Sequence, residues 1–168
     1  MQVLLELDAR LSARLRVAER PGVLRSLAIL LAHSGDSWFW LIGLSLAWYF
    51  GDAAWKQSVQ ILALGILITA VLVMAIKFTV RRSRPAGKWG AIYRNTDPHS
   101  FPSGHAARAL MLAVLASGLG PGWFALVLLA WSPLVVLARV AMGLHYLSDV
   151  IAGGFLGILI GFGILQFV

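Results

Sequence analysis

The chain has 168 residues, 60% of them apolar, with a mean hydropathy of +0.83 and a net charge of +7 from 14 basic and 7 acidic side chains. One domain of that length cannot hide so much apolar surface in a water-soluble core, whereas lipid covers the outside of a helix bundle, so a soluble fold and an added soluble domain are both excluded. The lack of cysteine removes disulfides, thiolate metal sites and a cysteine nucleophile, and no nucleic-acid-binding module accompanies the positive charge.

Residues 1–20 place Leu4, Leu7, Leu11 and Leu15 at helical spacing among Arg10, Arg14 and Arg16. This is the pattern of an amphipathic helix lying in the membrane interface against anionic headgroups, and equally of a helix packed on the bundle. Pro21 and Gly22 end it. Residues 23–34 are apolar but cover only about 18 Å at ~1.5 Å per residue, against a hydrocarbon core of ~30 Å. Residues 37–51 carry Trp38, Trp40, Trp48 and Tyr49, side chains that favour a bilayer interface. Residues 57–80 are uncharged up to Lys77 and give the clearest span. Residues 81–103 form one long polar loop, basic and proline-containing, and long loops in compact domains often carry function. Apolar helix resumes at Gly104 and runs to about Ser117. Residues 123–140 make another span, with a kink expected at Pro133. A Gly143-Leu144-His145 link leads to the last span, 146–167, where Gly153, Gly154, Gly157, Gly161 and Gly163 permit close helix packing in lipid. The expectation is an all-α integral membrane protein: one domain over residues 1–168, a six-transmembrane-helix bundle, an N-terminal amphipathic interfacial helix over 1–20 and an active-site loop over 81–103.

Followed up and down through these spans, Lys77 ends one, His105 and Arg108 begin the next, Arg139 ends another, and His145 and Asp149 begin the last. An antiparallel bundle therefore gathers them at one membrane face. Span middles are uncharged, unlike those of pumps and transporters, whose ionisable groups sit near the midplane. Lys77 and Arg84 lie two helical turns apart and share a face if their helix continues. With Arg139 they form either a membrane-flanking basic cluster or a cradle for an anion such as phosphate, whose oxygens match arginine's fork of donors. In Phe101-Pro102-Ser103-Gly104-His105, Pro102 and Ser103 can start a helix whose free N–H groups attract an anion. Gly104 permits close approach, and His105 can act as a general acid. His145 and Asp149, four apart, face the same way, so the carboxylate can fix the imidazole tautomer and leave the other nitrogen as nucleophile or base.

Together these pieces resemble the type 2 phosphatidic acid phosphatase superfamily, the lipid phosphate phosphatases, in its compact prokaryotic form. The family's KxxxxxxRP matches Lys77 to Pro85, its PSGH matches Pro102 to His105, and its SRxxxxxHxxxD matches at Arg139, His145 and Asp149, with Ala138 replacing the usual serine. The resemblance implies that His145 attacks phosphorus, Asp149 orients it and His105 protonates the leaving group. It implies that Lys77, Arg84, Ser103, Gly104 and Arg139 hold the phosphate oxygens, with no metal and no cofactor. Arg108 lies outside the motifs and either contacts a substrate headgroup or pairs with Asp97. His33, Asp36, Lys88, Arg94 and His99 are candidates for the entrance. The implied substrate is a lipid phosphate or diphosphate, such as undecaprenyl diphosphate, phosphatidylglycerol phosphate, phosphatidate, a lipid A phosphate or a phosphorylated polyprenyl sugar. A lipid-linked phosphotransferase would use the same residues, and a non-catalytic lipid-binding or transport protein is a third reading. The implied location is the cell (inner, cytoplasmic) membrane, with the site facing outward.

Overall fold

The structure, a computed structural model, describes residues 2–87 and 97–168. The described residues form seven helices: α1 (Gln2–Arg14), α2 (Val23–Ser34), α3 (Ser37–Phe50), α4 (Ala53–Val80), α5 (Gly104–Leu119), α6 (Gly122–Ala141) and α7 (Leu147–Leu165). The only extended pairing among them is an isolated antiparallel bridge between Ser83 and His99. Asp52 starts α4 by accepting from the Trp55 N–H at 2.9 Å. The helix ends at Arg81, which takes a left-handed conformation at φ 53°. Lys77 and Arg84 therefore do not share one helix face; Arg84 returns to the site from the loop.

α5 is the central element and packs against α4, α6 and α7. It is lined with alanine, and Ala106, Ala107, Ala109, Ala113 and Ala116 are buried. α7 meets it through glycine. A Cβ on Gly157 would strike the Ala107 carbonyl oxygen, one on Gly154 would lie 2.6 Å from Leu110 Cδ1, and one on Gly161 would lie 2.8 Å from Val114 Cβ. Gly163 faces open space and takes no part in this seam. Away from it, Leu67, Val71, Leu126, Val127, Phe155 and Leu159 are exposed, as a lipid-covered surface requires.

Six separate spans are not found among the described residues. α4, α6 and α7 are long and apolar enough to cross a bilayer, and α2 with α3 qualify only together, as one path bent by 58°. α5, at 16 residues, is short, but its neighbours enclose it, and it still reaches the far end of α4, where Ser58 Oγ donates to the Leu119 carbonyl at 2.9 Å. At that end Lys56 sits over the Trp48 ring, 5.5 Å from its centroid.

α1 packs on the bundle. Its polar side faces the protein: Asp8 accepts from the Ser148 N–H (3.0 Å) and from Arg82 Nη2 (2.6 Å), and Ser12 Oγ accepts from the Leu147 N–H (2.8 Å). Burial opposes ionisation of Asp8, but the bonds from Ser148 and Arg82 outweigh it and hold the carboxyl below the usual range. Leu4, Leu7, Leu11 and Leu15 point outward and exposed. Ala18 N–H donates to the Ala141 carbonyl at 3.0 Å, so the chain up to α2 lies at the end of the bundle where α7 begins.

Candidate active site

The turn between α6 and α7 carries His145, which is 2% exposed. Gly143 makes that turn possible with φ +67°. His145 Nδ1 lies 2.8 Å from the Ser100 carbonyl oxygen. A carbonyl only accepts, so Nδ1 carries the proton and Nε2 carries the lone pair. Arg84 Nη1 points an N–H at that lone pair from 3.2 Å. The acceptor that fixes the tautomer is thus a backbone carbonyl. Asp149, expected in that role, stands 3.7 Å from Nδ1. Its carboxylate instead accepts from the Tyr146 N–H (2.9 Å) and from Arg82 Nη1 (2.6 Å), which starts α7 and fixes the loop. Burial, with the charges of Arg139 and Arg84, pushes the His145 imidazolium down to about 3 despite Asp149, so the ring is neutral at working pH.

The cations gather beside it. Arg84 donates through Nε to the Asp97 carbonyl (2.7 Å), through Nη2 to Asp97 Oδ2 (2.7 Å) and through Nη1 to the Leu144 carbonyl (3.0 Å). Lys77 Nζ meets the same Asp97 Oδ2. Two cations converging on one carboxylate oxygen mark a position suited to an oxyanion. Arg139, in the last turn of α6, is 1% exposed and close enough for its charge to act on His145.

The third part is the start of α5. Ser103 caps it, with the Ala106 N–H 3.5 Å from its Oγ, and the Ser103 N–H donates to the Asp149 carbonyl at 2.9 Å. This crossing needs Gly153, where a Cβ would strike the Ser103 carbonyl oxygen. Gly104 lies at the cavity wall, and His105 Nε2 is 2.7 Å from Asp36 Oδ1.

A cavity of about 510 Å³ joins these parts. Its polar end has Lys77, Asp97, His105 and His145, and its apolar wall has Ala70, Val73 and Met74 of α4 with Trp38 of α3. Arg84, Ser103 and Arg139 are buried. The structure therefore brings together every residue expected at the site. Arg108 lines the cavity, but its guanidinium is engaged by the Gly35 carbonyl (2.9 and 2.5 Å) and Ser37 Oγ (2.5 Å), and Asp97 pairs with Lys77 and Arg84 instead. Of the entrance candidates, Asp36 is in the site, His33 bonds Asp36 at 3.0 Å, and His99 packs against Phe78. Lys88 and Arg94 lie outside the described residues.

Sequence reasoning missed Ser100 as the tautomer-setting acceptor, Arg82 as the link from Asp8 to Asp149, and Asp36 as the partner of His105. A backbone carbonyl has no sequence signal. Asp36 had one, as a carboxylate in a break between apolar segments, where an unused charge is costly.

A sequence profile described as "PAP2 superfamily" matches residues 58–168. The chain is 33% identical to the decaprenylphosphoryl-5-phosphoribose phosphatase of Mycolicibacterium smegmatis, over 82% of this chain and 74% of that protein. It is 29% identical to "Probable lipid phosphate phosphatase beta" of Arabidopsis thaliana, over 98% of this chain and 90% of that protein. Among solved structures, the transmembrane PAP2-type phosphatidylglycerolphosphate phosphatase from Bacillus subtilis superposes with a TM-score of 0.81 at 23% identity, covering 99% of this chain and 87% of that one, a likeness of fold. The chain belongs to the PAP2 superfamily.

Proposed function

We propose that this PAP2 superfamily member is a membrane lipid phosphatase that passes the phosphate of a lipid phosphate or diphosphate through His145. The observation that carries the reading is the neutral His145 with its lone pair on Nε2, 3.2 Å from Arg84 Nη1, at the polar end of a cavity with an apolar wall. Phosphate replaces the Asp97 carboxylate on Lys77 and Arg84, and Arg139 and the start of α5 hold the remaining oxygens. Nε2 attacks phosphorus, the bond from phosphorus to the lipid oxygen breaks, and His105 gives that oxygen a proton. Water then attacks the phosphohistidine, His105 takes a proton from the water, the N–P bond breaks, and phosphate leaves with both histidines restored. Catalysis rests on positioning and on fixed positive charge. The apolar wall formed by Ala70, Val73, Met74 and Trp38 suits the first part of a lipid chain.

The test is phosphate release by the purified protein from a panel of lipid phosphates in the presence of a chelator. Release is expected without added metal, blocked by vanadate and lost in His145→Ala. Undiminished release by His145→Ala would reject the mechanism.

The site is on the cytoplasmic side of the membrane in this reading, the reverse of what the resemblance implied. Arg10, Arg14, Arg16 and Arg20 belong to the segment that docks at the site end before α2, Arg25 lies in the first turn of α2, and Arg81 and Arg82 flank the same end. None of these is in the proposed cradle. Among the described residues, Lys56 is the one Lys or Arg at the other end. Flanking basic residues stay in the cytoplasm. The chain has no cysteine, so Arg20→Cys and Gln166→Cys report each end cleanly. In intact cells a membrane-impermeant maleimide is expected to label the cysteine at 166 and to reach the one at 20 only after permeabilisation. The opposite pattern places the site outside.

A further inference from the structure

Between α2 and α3 the chain interrupts an apolar path with His33-Ser34-Gly35-Asp36-Ser37. Such a break leaves backbone groups without helical partners, which is tolerated at membrane depth only where protein or a cavity receives them. Here three side chains from three helices receive it. Arg108 of α5 donates to the Gly35 carbonyl and to Ser37 Oγ, Trp131 of α6 donates to Ser34 Oγ (2.8 Å), and Trp40 of α3 donates to the Ser34 carbonyl (2.9 Å). Gly35 lets the break close on the site, because a Cβ there would lie 3.1 Å from His105 Cδ2 and 3.0 Å from Val135 Cγ1.

Asp36 stands at the N-cap of α3, where a carboxylate ordinarily accepts from the first-turn N–H groups. It makes no such bond. Both oxygens turn away from its own helix: Oδ1 to His105 Nε2 at 2.7 Å and Oδ2 to His33 Nδ1 at 3.0 Å. An N-cap aspartate that gives up its cap for an imidazole in the site cavity points to a use for that contact.

We infer that Asp36 is a positioning residue for His105, and that the break between α2 and α3, held by Arg108, exists to present it. The inference rests on the phosphatase reading above. A proton donor that shares a cavity wall with Lys77 and Arg108 sits in a field that disfavours its protonated form, and a carboxylate at hydrogen-bond distance opposes that field. By accepting from Nε2, Asp36 also fixes the ring and leaves Nδ1 as the nitrogen that exchanges a proton with the leaving oxygen and then with water. The site thus has two held imidazoles: His145, fixed by a neutral carbonyl so that it stays an uncharged nucleophile, and His105, fixed by a carboxylate so that it can carry a proton.

The test compares Asp36→Asn with the parent on two substrates, the alkyl phosphate lipid with the highest turnover and p-nitrophenyl phosphate, whose leaving group needs little protonation. The expected result is a fall in kcat/KM, which reports the step that expels the leaving group, of about 100-fold on the alkyl phosphate, the scale of general acid catalysis, with less than about fivefold on the aryl phosphate and little change in vanadate affinity. In a His105→Asn background, Asp36→Asn is expected to add nothing further. Equal losses on both substrates, loss of vanadate binding, or additivity with His105→Asn would each overturn the inference by marking Asp36 as structural. His145→Ala controls the underlying reading: activity retained on both substrates rejects the phosphohistidine route itself, independently of the behaviour of Asp36.

Discussion

Arg84→Lys keeps the charge of the cradle and removes its fork. Arg84 directs donors to the Asp97 carbonyl, to Asp97 Oδ2, to the Leu144 carbonyl and to His145 Nε2. A lysine has one nitrogen and cannot reach these positions at once. A charge-assisted hydrogen bond contributes about 1.5–3 kcal/mol. Loss of one or two such contacts to the transferring phosphoryl group is therefore worth roughly 2–4 kcal/mol, or about 30- to 1,000-fold in kcat/KM. The Leu144 carbonyl, in a fully buried residue, also loses a donor, which lowers stability by about 1–3 kcal/mol. Phosphate release kinetics, the vanadate inhibition constant and thermal unfolding in detergent separate the two effects. A variant that stays folded, with kcat/KM and vanadate inhibition within about threefold of the parent, would refute the claim that the planar fork of Arg84 organises the cradle.

Asp97→Asn removes the charge that phosphate must displace from Lys77 and Arg84. Since Asp97 is part-exposed and such pairs are worth about 1 kcal/mol, KM for the lipid phosphate is expected to fall about fivefold; an unchanged or higher KM in steady-state kinetics means that Asp97 does not compete. Gly157→Leu pushes a side chain into the Ala107 backbone, and overpacking of that kind costs about 1–3 kcal/mol. Its melting temperature and activity should both drop, while Gly163→Leu, facing open space, should leave both unchanged. His145 makes the protein acid-sensitive, because the unfolded chain takes up its proton near pH 6.5 and the folded chain only near about 3. Between these values the unfolded form binds more protons, so folding stability falls as pH falls. His145→Gln should flatten thermal stability between pH 6.5 and 4; a parallel loss in parent and variant would assign the acid sensitivity elsewhere.

The residues that gather at the cavity were legible because their spacings survive any error in helix boundaries. Lys77, Arg84, His105, Arg139 and His145 meet whether or not α4 continues to Arg84, and it does not, since Arg81 turns left-handed. The glycines of α7 were legible for a similar reason, since Gly153 and Gly157 recur at helical spacing and face one neighbour. What the sequence concealed was set by tertiary contact. The acceptor for His145 is a backbone carbonyl, and any residue at position 100 supplies one. Asp149 has the spacing to orient His145, yet Arg82 and the Tyr146 N–H hold its oxygens. Arg108 was open between substrate and structure, and only the position of the Gly35 carbonyl decides it.

The count of spans has the largest consequence, because it changes parity. Residues 23–34 and 37–50 each look like a short span, and two spans return the chain to the face it left. In the structure they are long and apolar enough to cross a bilayer only as a pair, bent by 58°; taken as one crossing, they carry the chain away from the site end once. α1 and its arginines then lie at the same end as His145, as the bonds from Asp8 and Ser12 to the start of α7 require. With six spans the basic residues divide almost evenly and carry no topological signal. With the bent path the five arginines of residues 10–25 join the site end, and that bias no longer depends on the residues of the proposed cradle. The same break supplies Asp36 to His105. In the proposed reading, one departure from regular helix therefore bears on the side of the membrane at which phosphate is released and on the proton that accompanies it.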